Sequence, residues 1–512
     1  MKYTFFRGVS MKIKSESGKE KRYLAVRIIG SVFSFICFLA FFSASWYKNV
    51  YGDIGFDAIL FTLTTSFGGV NEDLVGSWVL TGLVPAVIAT AFVTVAVFIV
   101  LFRKQKNKYV KIISTVLVFV LSFVFLSSGA QKSKLPQWIS SKLNTTTIFE
   151  DYYVSPESVE ISFPEEKKNL IYIYLESMET SYFSKEEGGG LEFNAIPELY
   201  SLAENNTNFS QNSSVGGGRD ISGATWTAGA MISQTAGIPL MSNVGIDDDK
   251  WGNFFSSRLP GVKSLTDILS ENGYYQSLMV GSDSRYGSRK QYFEQHGISD
   301  VFDYYSAIED GIIPEGYWEW WGMEDKYLYT YAKQKLTDIS QKDAPFAFTM
   351  LTVDTHHVDG FKCSECDDEY EEQYSNVLSC ASKQLYSFIK WIEEQPFYEN
   401  TTVIITGDHC TMDNQYIGKN IEEGYVRRLY NCFINPAFEP ENKKNREFVS
   451  FDMFPTTLGA IGCTIEGNRL GLGTNLFSEE KTLAELLGFE YLDSEIVKTS
   501  NFYDNAFVKN VQ

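Results

Sequence analysis

Histidine is nearly absent from this chain. Only four of the 512 residues are His, at positions 296, 356, 357 and 409, so a histidine beside a carboxylate at the end of an apolar run carries information. Positive charge is also short. Lys and Arg total 44 against 64 Asp and Glu, a net charge of -20, which argues against general nucleic-acid binding. The seven cysteines include one Cys-x-x-C, Cys363 and Cys366, with Cys380 fourteen residues further on. No fourth ligand follows at zinc-site spacing. If this region lies outside the cell, a disulfide between Cys380 and one of the pair is expected ahead of a metal.

Long uncharged stretches are present at one end only. Residues 28–47, 74–102 (with Pro85 inside) and 112–131 are free of charge and apolar. Each is long enough to cross a hydrocarbon core of ~30 Å at ~1.5 Å per residue. Trp46, Tyr47, Trp78 and Tyr109 lie near their ends, where interfacial anchors sit. The lead before the first run carries Lys2, Arg7, Lys12, Lys14, Lys19, Lys21, Arg22 and Arg27 against Glu16 and Glu20. The second connection carries Arg103, Lys104, Lys106, Lys108 and Lys111, and the first carries Asp53, Asp57, Glu72 and Asp73 against Lys48. By the positive-inside rule the N-terminus and second connection face the cytoplasm, and the chain after about residue 131 lies outside. Small residues at 43–45 suit a cleaved signal peptide, but the long basic lead and two later spans favour an uncleaved anchor. The short apolar segment 56–69 is expected in the interface or as a re-entrant piece. The expected domains are a three-helix membrane domain at 1–131, a linker or stalk at 132–166 and a catalytic domain at 167–512.

Beyond the stalk the pattern changes to α/β. Apolar strand candidates at 170–175, 275–280, 346–353 and 402–405 alternate with helical patterns at 262–272, 326–338 and 374–394. Such alternation predicts a mainly parallel sheet flanked by helices. Ligand-type residues follow every strand: Glu176; Asp283; His356 and His357; Asp408 and His409. In open α/β sheets ligands bind beyond the carboxyl ends of the strands, so these side chains converge on one cleft. A carboxylate and a neutral imidazole are both ligands for a divalent cation. The glycine-rich segment 216–223 leads into a helical pattern at 227–236, preceded by Thr225 and starting at Thr227. A hydroxyl there gains from the positive end of the helix when it ionises or carries an anion, although either threonine also suits an ordinary N-cap. His296, before Gly297, reads as a structural histidine at a helix end.

Four ordered motifs make the pattern specific. They are Asn-Leu-Ile-Tyr-Ile-Tyr-Leu-Glu-Ser at 169–177, the segment from Gly223 through Thr227 to Leu240, Thr-Val-Asp-Thr-His-His-Val-Asp-Gly at 352–360, and Gly-Asp-His at 407–409. With Asp452-Met-Phe-Pro-Thr and the segment 469–475, they resemble the bacterial phosphoglycerol transferases and lipoteichoic acid synthases. The branch that modifies glucans is the nearer of the two. Both belong to the sulfatase/alkaline phosphatase superfamily, and the resemblance covers about residues 169–477. It implies an alkaline-phosphatase-like α/β ectodomain behind N-terminal transmembrane helices.

The resemblance further implies that Glu176, Thr227, Asp408 and His409 hold one divalent cation, Mn2+ or Mg2+, with Thr227 also the nucleophile. His356 is implied as the residue that assists at the phosphate or leaving group. Asp283 and Arg289 align with positions that contact glycerol phosphate. Trp321, with Gly322, Met323 and Asp325, aligns with a motif lining the cleft, and His357 is a candidate substrate contact. The aromatic run 317–321 fits either a core or a surface that stacks on sugar or headgroup. No Cys-x-Pro-x-Arg is present, so a formylglycine sulfatase is not expected.

The implied reaction moves glycerol phosphate from phosphatidylglycerol, through a phospho-threonine, to a glycan or polyglycerolphosphate acceptor. The implied location is the bacterial cell membrane, with several membrane crossings and the catalytic domain outside. Alternatives are a phosphoethanolamine transferase or phosphodiesterase of the same superfamily, and a catalytically inert surface-binding relative.

Overall fold

The computed structural model describes residues 18–52, 55–56, 59–60, 72–102, 108–241 and 259–509. These fall into two compact units, 1–47 with 72–133, and 48–71 with 134–512. The segment 56–69 lies largely outside the described residues.

The first unit is helical. Helix α1 (Gly18–Tyr51), helix α2 (Val84–Phe102) and helix α3 (Lys108–Lys132) dominate it. Among the described residues, three stretches are long and apolar enough to cross a membrane: Ile28–Tyr51, Val75–Ala96 and Ile112–Lys132. Their outer faces expose Ile29, Phe92, Ile113 and Phe123, as lipid-facing helices do. Pro85 lacks an N–H and crowds the preceding turn, and the chain there widens into a π-helix, Val79–Leu83, before α2. Helices α1 and α3 meet through Phe38 on Phe125, with ring centroids 5.0 Å apart. Beside them the Ser34 and Ser122 hydroxyls share a buried bond of 2.8 Å.

The second unit is built on a six-stranded sheet. Its strands are β1 (Asn169–Leu175), β2 (Tyr275–Val280), β3 (Asp300–Phe302), β4 (Phe346–Leu351), β5 (Thr401–Gly407) and β6 (Asn431–Ile434). The spatial order is β3-β2-β4-β1-β5-β6. All neighbours are parallel except β6, which runs antiparallel to β5 at the edge. This is the α/β architecture the alternating pattern predicts. Strands covered on both faces read as continuous apolar runs, and β1 and β5 are buried at every residue.

The faces of β1 divide the core. Leu170, Tyr172 and Tyr174 pack with helix α4 (Thr227–Ala236). Ile171, Ile173 and Leu175 pack with helix α5 (Asp325–Ile339) and helix α6 (Gln373–Glu393). The sheet is thus the middle of three layers. The helix read at 262–272 begins later, at Leu265, because Ser264 caps it: its hydroxyl accepts from the Asp267 N–H while the Asp267 carboxylate accepts from Ser264 N. Residues 132–166 carry short helices at Leu135–Leu143 and Ile148–Tyr152. Strand Ile161–Ser162 follows and pairs with Thr464–Ile465.

Register carries the fold to its function. Leu175 pairs with Gly407, and Tyr174 pairs with both Leu351 and Thr406. Glu176 and Asp408 therefore follow one ladder step later, side by side at the carboxyl edge of the sheet. Gly407 permits this approach, since a Cβ there would stand 1.9 Å from the Met178 carbonyl oxygen. Gly407→Ala should lower the apparent melting temperature of the detergent-purified protein by ~5 °C or more, as a backbone clash in a core demands. Gly418→Ala, where a Cβ meets nothing within 4 Å inside the helix Asn414–Asn420, should hold or raise it, because Ala is favoured over Gly by up to ~1 kcal/mol in a helix. Differential scanning fluorimetry of the two variants checks both.

Candidate active site

At the end of β1 the chain turns sharply through Ser177, whose φ of 54° lies in the left-handed region. The strain costs a non-glycine residue ~1 kcal/mol and is offset by what it places. The Ser177 N–H and the His409 N–H both donate to Asp408 Oδ1 at 2.8 Å. Ser177 Oγ donates to Glu176 Oε1 at 2.8 Å. The Glu176 backbone is fixed from β4, with its N–H bound by Thr352 Oγ1 at 3.0 Å and its carbonyl by Thr355 Oγ1 at 2.5 Å.

Helix α4 brings the hydroxyl. Gln234 ties the helix to the sheet: its Oε1 accepts from the Tyr172 hydroxyl at 2.7 Å and its Nε2 donates to the Gly407 carbonyl at 3.3 Å. Ala228, Gly229 and Ala230 keep the first turn slim, and every residue from 228 to 236 is buried. Thr227 opens the helix but does not cap it. The cap position is Trp226, with no side-chain cap bond. The half-buried Thr227 hydroxyl instead donates to Glu176 Oε2 at 3.2 Å and lies 3.4 Å from His409 Nε2.

These four residues meet. Ligand atoms of Glu176, Asp408 and His409 all lie within 4.8 Å of one another, and all three side chains are buried. His409 Nδ1 donates to the Cys410 carbonyl at 2.9 Å, so in the neutral ring Nε2 carries the lone pair. That atom sits 3.4 Å from Glu176 Oε1 and 3.5 Å from Asp408 Oδ2. Asp408 Oδ2 has no hydrogen-bond partner despite full burial. Burial and the neighbouring Glu176 push the Asp408 carboxyl up to about 7. Burial disfavours the His409 imidazolium, but Asp408 and Glu176 outweigh it and hold the ring up at about 10. Burial opposes ionisation of Glu176 as well, yet the facing His356 and His409 keep it below the usual carboxylate range. The cluster has an excess of negative charge that draws protons, and a divalent cation meets the same demand. Two carboxylates, one with an orphaned oxygen, one imidazole nitrogen with its other nitrogen bound to a carbonyl, and one hydroxyl form a donor set that fits such an ion.

The other expected residues form a wall beside it. The Trp321 ring lies 4.5 Å from the His356 ring and 5.8 Å from Tyr286. His356 Nδ1 donates to the His357 carbonyl at 2.8 Å, and the two rings stack at 4.4 Å. Burial lowers the pKa of both imidazoles from the ordinary value. Arg289 is buried, and it donates to Ser282 Oγ at 2.9 Å and to the Asp283 and Tyr286 carbonyls at 2.7 and 3.0 Å. Those partners are all neutral, and among the described residues no carboxylate pairs with it. Burial lowers its pKa, and the field of Glu176 opposes that shift. The Asp283 carboxylate is turned to Arg285, 2.8 Å away. His296 pairs with Asp267 at 2.6 Å, outside this set. Trp318 is exposed and packs on Tyr304, while Trp320 stacks on Phe361, so of the aromatic run Trp321 is the ring that meets His356. A cavity of about 620 Å³ opens alongside, bordered by Asp220, Thr225, Trp226, Cys410 and Arg427.

A family described as Sulfatase matches residues 168–463, more than half of the chain. The chain belongs to the sulfatase family. Among curated relatives, it is 28% identical over 457 residues to phosphoglycerol transferase I of Escherichia fergusonii, covering 84% of this chain and 55% of the relative. It is 27% identical over 440 residues to the protein of that name from Salmonella choleraesuis, covering 82% and 53%. The chain thus spans about half the length of the curated relatives it matches. Among solved structures, lipoteichoic acid synthase LtaP from Listeria monocytogenes is similar with a TM-score of 0.49 and 17% identity, covering 65% of this chain and 80% of that one. Lipooligosaccharide phosphoethanolamine transferase A from Neisseria meningitidis, an integral membrane protein, gives 0.48 and 14%, covering 85% and 84%.

Within this sulfatase-family site, three acids escaped the strand-end reading: the half-buried Asp220 and the buried Asp325 and Glu179. Asp220 Oδ2 accepts from the Cys410 N–H at 3.0 Å, and burial raises its carboxyl to about 6. Asp325 does not line the cleft surface; its buried carboxylate accepts from the Val353 and Asp354 N–H groups at 2.8 and 3.1 Å and fixes the start of the His356 loop. Glu179 is fully buried and pairs with Arg427 through both carboxylate oxygens, with Nε at 2.7 Å. It also accepts from the Thr411 N–H at 3.0 Å, pinning the segment beyond His409. Only long-range pairing reveals Glu179; the glycine-rich lead marked Asp220, and the motif around Trp321 marked Asp325. Arg427→Met should destabilise the protein by ~3–5 kcal/mol, because Glu179 then stays buried and unpaired. Adding Glu179→Gln should restore part of the loss. Thermal unfolding of the single and double variants measures this.

Proposed function

We propose that this protein transfers glycerol phosphate from phosphatidylglycerol to an extracytoplasmic glycan or polyglycerolphosphate acceptor, with Thr227 as the nucleophile. The observation that carries the reading is the half-buried Thr227 hydroxyl at a helix start, uncommitted to capping and aimed at Glu176 and His409. The relatives named phosphoglycerol transferase I support the choice of group transferred.

Glu176, Thr227, Asp408 and His409 would hold one divalent cation, Mn2+ or Mg2+. When bound, it supplies positive charge that favours the ionised Thr227 hydroxyl and offsets charge on the phosphoryl oxygens. Thr227 Oγ attacks the phosphorus of the headgroup, and the bond to the diacylglycerol oxygen breaks. The positive end of α4 adds to the stabilisation of the anion formed there. His356 exchanges protons through Nε2, because Nδ1 is committed to the His357 carbonyl. It takes the proton that leaves Thr227 and delivers it to the departing diacylglycerol oxygen; in the second step it takes a proton from the acceptor hydroxyl as that oxygen attacks the phosphorus, and returns it to Thr227 Oγ as the phospho-threonine bond breaks. Arg289, a buried cation without a carboxylate partner, is suited to a phosphate oxygen. Trp321 and His357 brace His356 and border the substrate. Asp283 contacts the glycerol only by leaving Arg285. The membrane spans suit a lipid donor, and the basic connections argue for a catalytic unit on the outer side.

Labelled lipid decides the headgroup and the nucleophile together. Detergent-purified protein should release diacylglycerol from phosphatidylglycerol and not from phosphatidylethanolamine. Thr227→Ala should reduce release by at least ~10³-fold, the loss expected when a covalent nucleophile is removed, while Thr225→Ala keeps most of it. Full activity in Thr227→Ala would remove the nucleophile assignment. Transfer from phosphatidylethanolamine alone would favour the phosphoethanolamine reading, and lipid hydrolysis with no transfer the phosphodiesterase reading. Asp408→Asn should lose the bound cation, read as metal content after desalting.

A further inference from the structure

Three thiols stand apart from this chemistry. Cys363 and Cys366 lie on the loop between β4 and α6, beyond His356 and His357, and Cys380 lies on α6. Their sulfurs are all within 4.8 Å of one another. Cys363 Sγ is 3.6 Å from Cys366 Sγ and 3.9 Å from Cys380 Sγ. A tetrahedral zinc ion with Zn–S bonds of ~2.3 Å spaces its sulfurs ~3.8 Å apart. We propose that Cys363, Cys366 and Cys380 form a second metal site, which binds zinc through three thiolates and clips the His356 loop to α6.

The surroundings treat the sulfurs as hydrogen-bond acceptors. The Glu365 N–H donates to Cys363 Sγ at 3.4 Å. Gln384 Nε2 donates to Cys380 Sγ at 3.2 Å and reaches Cys363 Sγ at 3.6 Å. The Cys-x-x-C closes as a turn, with the Cys366 N–H on the Cys363 carbonyl at 3.2 Å, so both of its sulfurs face the same point. N–H donors such as those of Glu365 and Gln384 stabilise thiolates bound to a metal.

The cluster is open on its Cys380 side. A cleft of about 300 Å³ is bordered by Cys380, Gln384, Lys326, Glu365, Asp367 and Lys383. Water or the exposed Glu365 carboxylate completes the tetrahedron there. Three thiolates and Zn2+ carry one net negative charge, and Lys326 and Lys383 border the same cleft while pairing with Glu324 and with Asp367 and Glu369. The two sites also sort metals by chemistry. Thiolates select soft ions, whereas the oxygen-rich Glu176 cluster suits harder ones.

Cobalt substitution separates the two sites. The full-length protein loaded with Co2+ should show sulfur-to-metal charge-transfer absorption, which the Glu176, Thr227, Asp408 and His409 set cannot give because it has no sulfur donor. Cys380→Ser should abolish that band and lower zinc content by about one ion per chain, while Asp408→Asn should leave the band in place. Cys363→Ser repeats the test should Cys380→Ser fold poorly. Denatured, unreduced protein with chelator should titrate all seven thiols. A count lower by two would reveal a disulfide and overturn the proposal. So would seven thiols without the band, or a band that survives in the cysteine variants.

Discussion

Two carboxylates held side by side in a dry interior define this protein. Parallel pairing of β1 with β5, in a register that matches Leu175 to Gly407, leaves Glu176 and Asp408 no choice but to be neighbours. Like charges ~4 Å apart repel by ~4 kcal/mol even at an effective dielectric constant of 20. The fold accepts that repulsion and surrounds it with compensations. His409 and Thr227 face the pair directly, and Arg289 acts on it through the field. A left-handed serine, a glycine that no Cβ can replace and the Gln234 tether all serve to hold the arrangement in place. A site built on such repulsion is poised for a cation or for transient positive charge.

The strand ends were legible because apolar runs stop abruptly there. Glu176, Asp408, His409 and His356 each follow a buried strand directly, and a parallel sheet gathers such positions at one edge. Thr227 was legible from the glycine-rich lead into its helix, though only the structure separates it from a capping role. Strands β3 and β6 escaped because they are three and four residues long and show no period. Asp220, Glu179 and Arg427 escaped for a different reason. Their partners lie far away in sequence: Glu179 and Arg427 are separated by 248 residues, and nothing local marks either one. The start of the helix at Leu265 was hidden in the Ser264–Asp267 box, a short-range signal that apolar periodicity overlooks.

Membership of the sulfatase family accounts for the scaffold more than for the reaction. The sheet edge gathers the same strand ends whatever chemistry follows, and here the start of α4 places Thr227 before them. The loop after β4 brings a second kind of chemistry to the same unit. One segment carries His356 beside the oxygen-rich cluster and then brings Cys363 and Cys366 against Cys380 on α6.

The missing cap of α4 has a consequence for how the site comes into being. A side-chain cap is worth ~1 kcal/mol to a helix start, and here it is replaced by Trp226, which offers no cap bond. The first turn therefore borrows its order from the sheet, through Gln234 and its bonds to Tyr172 and Gly407. Thr227 stands 182 residues from His409 along the chain, and closing so long a loop comes late in assembly. On the proposed reading, a nascent chain thus presents Thr227 to Glu176 and His409 only once the last strands of the sheet are in place.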